Sequence, residues 1–342
     1  LTLDKNNPLL KKMQIVARCA VCIFFLHLRM EASVAEPIQT LVTPLAGEDI
    51  AQPCAYNLAV PEQQKVEAVF VIFERGKDSH RFFEDPDVRS FAHHHRLAMM
   101  MPLHCVSKDQ TDIDVDPAKG LGRALFQALK QFSDSTGHHE LAAVPLIYLG
   151  FSGAGALAAR MPGYAPERSI AAILSHADQT RPLGLNTIVH SKESASVPQL
   201  VLVGGKDTNV GTQSGYRYFN RYLAAGAPWL FATQNNGRHC CTIDAKELIL
   251  SWLESILQRR LGENARLAPL KRTGGLYAFF RMDRTDVLAG KSPTYNAVDL
   301  SVKLTEQMAK PDRVSAGWLP SKQTAREWMI YADRPSRIVM PQ

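Results

Sequence analysis

The sequence predicts an α/β protein, a mostly parallel β-sheet with helices on both faces and an irregular C-terminal extension. Three observations predict it. Short apolar runs alternate with helical patterns through the middle of the chain, which is how a parallel sheet covered by helices is written. One of those runs ends in a turn of small residues with a serine at its apex. The alternation then stops after Leu261.

Taken in order, Cys54–Val60 is an early strand at the sheet edge, followed by strands at Ala68–Phe73 (AVFVIF) and Leu97–Leu103. Gly120–Phe132 carries Leu121, Ala124, Leu125, Ala128, Leu129 and Phe132 at helical spacing. Val144–Leu149 (VPLIYL), Ser169–Leu174, Gln199–Val203 and Trp229–Thr233 are four further strands. Ala245–Leu257 is an amphipathic helix with Leu248, Ile249, Trp252, Leu253 and Ile256 on its inner face. Beyond residue 261 one helix stands out, Ser321–Tyr331, with Ser321 as its N-cap. This divides the chain into an N-terminal segment 1–35, a main domain 36–261 and an extension 262–342 packed on that domain.

With 342 residues, 46% hydrophobic and 21% charged, the chain is too apolar for disorder and long enough to bury a large core. Its net charge of +6 raises the question of an anionic partner. The basic residues are scattered, however, with no aromatic-interleaved patch, so nucleic-acid binding is not expected.

Part of the charge has another source. Lys11, Lys12 and Arg18 precede the apolar run Cys19–Leu28, and Ala32-Ser33-Val34-Ala35 places small residues before a cut after Ala35. This is the layout of a secretory signal peptide. The apolar run falls short of the roughly 20 residues a membrane span needs. The alternative is an apolar helix packed on the domain. Cleavage would remove five basic and two acidic residues and leave a charge of +3. The expectation is a secreted or periplasmic protein with no membrane span after signal removal. Cys54, Cys105, Cys240 and Cys241 would remain. A direct Cys240–Cys241 bridge would be strained. A link from one of them to Cys54 or Cys105, or four buried free thiols, are the open alternatives.

The chemistry centres on Gly150-Phe151-Ser152-Gly153-Ala154-Gly155, placed between an apolar strand and an Ala-rich helix. This is a G-x-S-x-small elbow. Small residues at −2 and +2 let strand and helix approach, the tight turn lifts Ser152 Oγ above the sheet, and Gly153 N–H faces a developing oxyanion. A serine needs a base, and the base needs a carboxylate to orient it. Asp207 follows one later strand and His239 the next, in the chain order Ser, Asp, His. Asp178, after the strand that follows the serine helix, is the alternative acid. The second oxyanion donor is expected in Glu74-Arg75-Gly76-Lys77, with Lys77 N–H the first choice.

Other motifs carry less. His93-His94-His95 would point in three directions on a helix and cannot close one metal site. His138-His139-Glu140 lacks the second histidine of a zinc-protease motif, because Ala143 stands in its place. Met99-Met100-Met101 falls in a buried strand. Gly290-Lys291-Ser292 follows no strand and reads as a loop.

Residues 68–257 resemble the α/β-hydrolase superfamily, and are similar to its exported feruloyl esterase and polyhydroxyalkanoate depolymerase-like members. The stretches that carry the resemblance are Arg75-Gly76, Phe83–Ala92 (FEDPDVRSFA), Gly137–Gly155, Gly204–Asp207 and His239-Cys240-Cys241. It implies a Ser–His–Asp hydrolase acting on small-molecule or polymer-linked esters, with no metal or organic cofactor. Ala154 in place of glycine, and Arg75, depart from the pattern and blur the substrate. About 20 residues separate Asp178 from the next strand, which leaves no room for a large lid. An open site for bulky esters is therefore expected. A peptidase or amidase on the same triad, and a non-catalytic binding protein of the same fold, are the competing readings.

Overall fold

The computed structural model describes residues 37–61, 64–108, 116–177, 188–262, 265–281 and 313–334. The N-terminal segment 1–35, Asp178 and Gly290–Ser292 lie outside the described residues.

Strand β3 (Ala68–Phe73) shows how the centre is built. All six of its residues are buried, as a strand covered on both faces requires. It lies between β4 (Leu97–Leu103) and β5 (Leu146–Phe151), parallel to both. The parallel run continues through β6 (Ser169–Ser175), β7 (Gln199–Gly204) and β8 (Leu230–Gln234). On the other side β2 (Cys54–Ala59) pairs antiparallel with β4, and β1 (Ile38–Val42) pairs antiparallel with β2. The expected strand at the edge is thus one position in, with β1 outside it. The full order is β1-β2-β4-β3-β5-β6-β7-β8-β10-β9, a largely parallel α/β sheet extended at one edge.

That extension differs from the sequence reading, which assigns no strand beyond residue 261. β9 (Leu276–Arg281) and β10 (Arg313–Leu319) form an antiparallel pair and join the main sheet at Gly317, opposite Leu230. The junction depends on glycine. Gly317 has φ +114°, and a Cβ there would lie 2.0 Å from Trp229 O. The irregularity between Ser315 and Gly317 breaks the period-2 pattern that would have marked the strand.

Among the described residues there are eight helices: α1 (Gly76–Glu84), α2 (Pro86–His94), α3 (Leu121–Thr136), α4 (Gly153–Tyr164), α5 (Lys192–Ala195), α6 (Gln213–Leu223), α7 (Lys246–Arg260) and α8 (Lys322–Asp333). Two N-caps follow from sequence. Asp85 accepts the N–H groups of Asp87 and Val88 ahead of Pro86, and Ser321 accepts that of Thr324. Helix α8 is fixed by Trp328, which is fully buried and donates its indole N–H to Phe231 O at 2.9 Å. A second tie joins it to α7, where Thr324 Oγ1 donates to Ser251 O. The described part of the C-terminal extension is therefore part of the same core. No helix among the described residues is long and apolar enough to cross a membrane.

Candidate active site

Ser152 sits at the end of β5, where the chain turns directly into α4. Its backbone has φ +54° and ψ −126°, a strained conformation for a residue with a side chain. Two neighbours make the turn possible. A Cβ on Gly150 would lie 2.0 Å from Ala154 O, and one on Gly155 would lie 2.6 Å from the Ala177 side chain. The tight position on the helix side is therefore Gly155. Ala154, where the sequence reading placed the constraint, buries its methyl completely. Ser152 N–H donates to Ser175 O at 2.8 Å, pinning the turn to the neighbouring strand.

The three residues picked from sequence converge. His239 Nε2 is 3.0 Å from Ser152 Oγ, and His239 Nδ1 is 2.8 Å from Asp207 Oδ2. The loops after β7 and β8 are bound together to achieve this. Gly205 N–H donates to Gln234 O and Lys206 N–H donates to Gly237 O. Gly204 has no room for a side chain, because a Cβ would meet Gly237 O at 2.6 Å and Arg238 O at 2.7 Å.

Asp207 is nearly fully buried. Its Oδ1 accepts the N–H groups of Asn209 and Val210 at 2.9 and 3.0 Å, leaving Oδ2 for His239. Burial pushes its pKa up, but the hydrogen bonds from His239 and Val210 outweigh that, and the carboxyl ends below its ordinary range. With Nδ1–H donated to this carboxylate, Nε2 is left to accept from Ser152 Oγ. The side chain of His239 keeps 16% of its surface exposed, so the pair is reachable from solvent. The Phe151 ring lies 5.1 Å from that imidazole.

Gly153 is the first residue of α4, so its N–H has no intrahelical acceptor. Lys77 lies in the first turn of α1, directly after β3, which pairs with β5. Gly76, with φ +60°, makes the bend between them.

Two residues of this site escape the sequence reading. His176 follows β6 and is buried, with a backbone φ of +52°. Its ring stands edge-on to His239 at 6.1 Å, and burial lowers its pKa to about 4, so it is neutral. Asp78, in α1, accepts the N–H of Thr242 at 2.8 Å, and Thr242 Oγ1 donates to Ser175 Oγ at 3.0 Å. Burial raises the Asp78 pKa. Through Thr242 the loop that carries His239 is tied to both α1 and β6. Neither residue belongs to a sequence motif.

The cysteines pair as Cys54–Cys105 and Cys240–Cys241. The vicinal pair is the one the sequence reading set aside as strained. Asp78, Cys240 and Cys241 bring one ligand atom each within 4.8 Å of one another, but cysteines joined to each other offer no thiolate. The three histidines 93–95 do diverge: His95 Nε2 contacts Glu254 at 2.5 Å, whereas His93 faces Gln64. His138 contacts Glu140 at 3.1 Å, and Met99–Met101 are buried in β4.

No family model matches the chain, and no curated protein sequence matches it. Solved structures do resemble it. A ferulic acid esterase aligns with a TM-score of 0.47 and 11% identity, covering 65% of this chain and 98% of that one. The Pyrococcus furiosus esterase gives 0.48 and 13%, covering 66% and 93%. An S-formylglutathione hydrolase from Staphylococcus aureus gives 0.44 and 12%, covering 65% and 99%. Likenesses this distant transfer no activity to this chain.

Proposed function

We propose that the chain is a serine hydrolase that cleaves carboxylic esters through an acyl-enzyme. The observation that carries this reading is the unbroken line of hydrogen-bond contacts Ser152 Oγ–His239–Asp207, at 3.0 and 2.8 Å, on a strained elbow at the C-terminal edge of the sheet. A structural serine has no need of such a line.

In this mechanism His239 Nε2 takes the proton of Ser152 Oγ as the oxygen attacks the ester carbonyl. Asp207, held ionised, stabilises the imidazolium and keeps its tautomer. Gly153 N–H and the Lys77 N–H hold the tetrahedral oxyanion. His239 then returns the proton to the leaving alcohol, and water repeats the sequence on the acyl-enzyme.

Bulky or polymer-linked esters are the proposed substrates. The connection between β6 and β7 spans only residues 176–198 and has no room for a large lid. We also read residues 1–35 as an export signal, which makes the enzyme secreted or periplasmic. The Cys54–Cys105 pair supports that, since such bonds persist in oxidising compartments.

The test is steady-state hydrolysis of p-nitrophenyl esters beside matched anilides, feruloyl esters and a soluble polyester. Ester turnover that disappears in Ser152→Ala is the expected result. Faster cleavage of the anilides would make the protein an amidase. Activity confined to short soluble acyl esters would remove the bulky-substrate proposal.

A further inference from the structure

The edge of the sheet opposite Ser152 holds a cavity of about 610 Å³. That is within the range of small-molecule sites, about 300–1,000 Å³. It is bounded by the chain entering β7, by the turn entering β8, by the end of α7 and by segment 269–272. Asp207 and His239 follow the opposite ends of these same two strands, and Ser152 follows that same end of β5, so the body of the sheet separates the two sites.

The charge in this cavity is one-sided. Lys192, Arg260 and Arg272 line it, and among the described residues no carboxylate does. Arg260 is only 7% exposed. Its Nη2 donates to Ser169 O at 3.1 Å, while its buried Nε has no partner among the described residues. Burial alone pushes the Arg260 pKa down to about 10, which still leaves it charged. Among the described residues none of the three cations takes part in an ion pair. A buried guanidinium with an unmet donor is expensive, and an anion would offset that cost through charge-assisted bonds. His190 also lines the cavity but adds no charge. Burial lowers its pKa to about 4, and its ring nitrogens contact Ser194 and Tyr218.

Much of the remaining wall is apolar, and its outer segment is tied down. Tyr222, Pro228 and Leu270 supply carbon surface. Arg259 anchors the outer segment by donating to Lys271 O and Thr273 O, each at 2.9 Å, and Ala268 N–H donates to Arg260 O. Arg272 Nη2 lies against Gly226, 3.8 Å from where a Cβ would stand.

We propose that this cavity binds a small organic anion: a carboxylate or phosphate monoester head held by Arg260, Arg272 and Lys192, with an apolar body against Tyr222, Pro228 and Leu270. It also gives the first part of the C-terminal extension a role, as the outer wall of a binding site.

The test is calorimetric titration of the full chain with phenyl phosphate, benzoate and phenol. Saturable binding of phenyl phosphate or benzoate is expected, with none for phenol. The exposed double variant Lys192→Gln/Arg272→Gln should weaken it by about tenfold or more, with ester hydrolysis and thermal midpoint unchanged. Arg260→Met, if it folds, should abolish it. Absence of saturable binding by either anion would overturn the proposal, as would affinity undiminished in the double variant. Protein already modified at Ser152 by a fluorophosphonate should bind the anion equally well. Loss of binding there would place the anion at the triad and overturn the second site without touching the first.

Discussion

Asp207 and Arg260 are both buried ionic groups, and they lie at opposite edges of one sheet. Asp207 fills its oxygens with two backbone N–H groups and the imidazole of His239. Arg260 makes one bond to a carbonyl and leaves Nε unmet. The first arrangement is complete within the chain, so it fixes a geometry and can organise a reaction. The second is incomplete among the described residues, so it marks a place where something else completes it. The difference shows that buried charge has no single meaning; what decides it is whether the partners are already present.

The sharpest way to break the comparison is at its C-terminal edge. Ser152→Ala should lower ester turnover by roughly 10⁴- to 10⁶-fold with little change in stability, read as kcat beside a thermal melt. Asp207→Asn preserves shape but removes the charge and offers the wrong tautomer partner. It should lower kcat by about 10⁴-fold, and an unchanged kcat would disprove its assignment as the orienting acid. Gly150→Ala tests the elbow itself. With Ala154 O only 2.0 Å from the new Cβ, the variant should lose about 3 kcal/mol in denaturant titration and most of its activity.

A smaller effect sharpens the role of burial. His176 and His190 each have a folded pKa lowered to about 4 from an ordinary 6.5. The unfolded chain therefore binds protons at a pH where the native one does not. Stability is full above pH 6.5 and falls as the pH drops from about 6.5 to 4, by up to about 3 kcal/mol for each histidine. Asp207, whose folded pKa is lowered, adds stability above its unfolded pKa and loses it at still lower pH. His176→Gln should flatten the first step in urea melts at pH 7 and pH 4.5. A slope unchanged from the parent would mean that His176 does not contribute. The smallest change is Gly76→Ala, where φ is +60° with open space around the Cβ; it should cost about 1 kcal/mol.

The sequence makes legible what local pattern encodes. β3 and β4 agree with the expected strands residue for residue, and β5 to β8 agree to within two residues. Continuous apolar runs between helices leave little freedom there. The convergence of Ser152, Asp207 and His239 was legible because each follows one of those runs. β1 was not, since its side chains are largely exposed. β9 and β10 were hidden by the length of chain between them and by the irregular join at Gly317. Asp78 and His176 were invisible for a different reason. Their roles come from Thr242 and His239, which only the folded chain brings to them. Arg260 likewise reads in sequence as one more basic residue at a helix end.

The central claim is that Ser152 is a nucleophile activated by His239 and Asp207. Its most direct test is to treat the purified full chain with a fluorophosphonate probe and map the adduct by peptide mass spectrometry. One stoichiometric adduct on Ser152, absent from His239→Ala and Asp207→Asn at matched times, is the predicted result. An intact Ser152 in fully folded protein, or an adduct on another residue that survives Ser152→Ala, would contradict it.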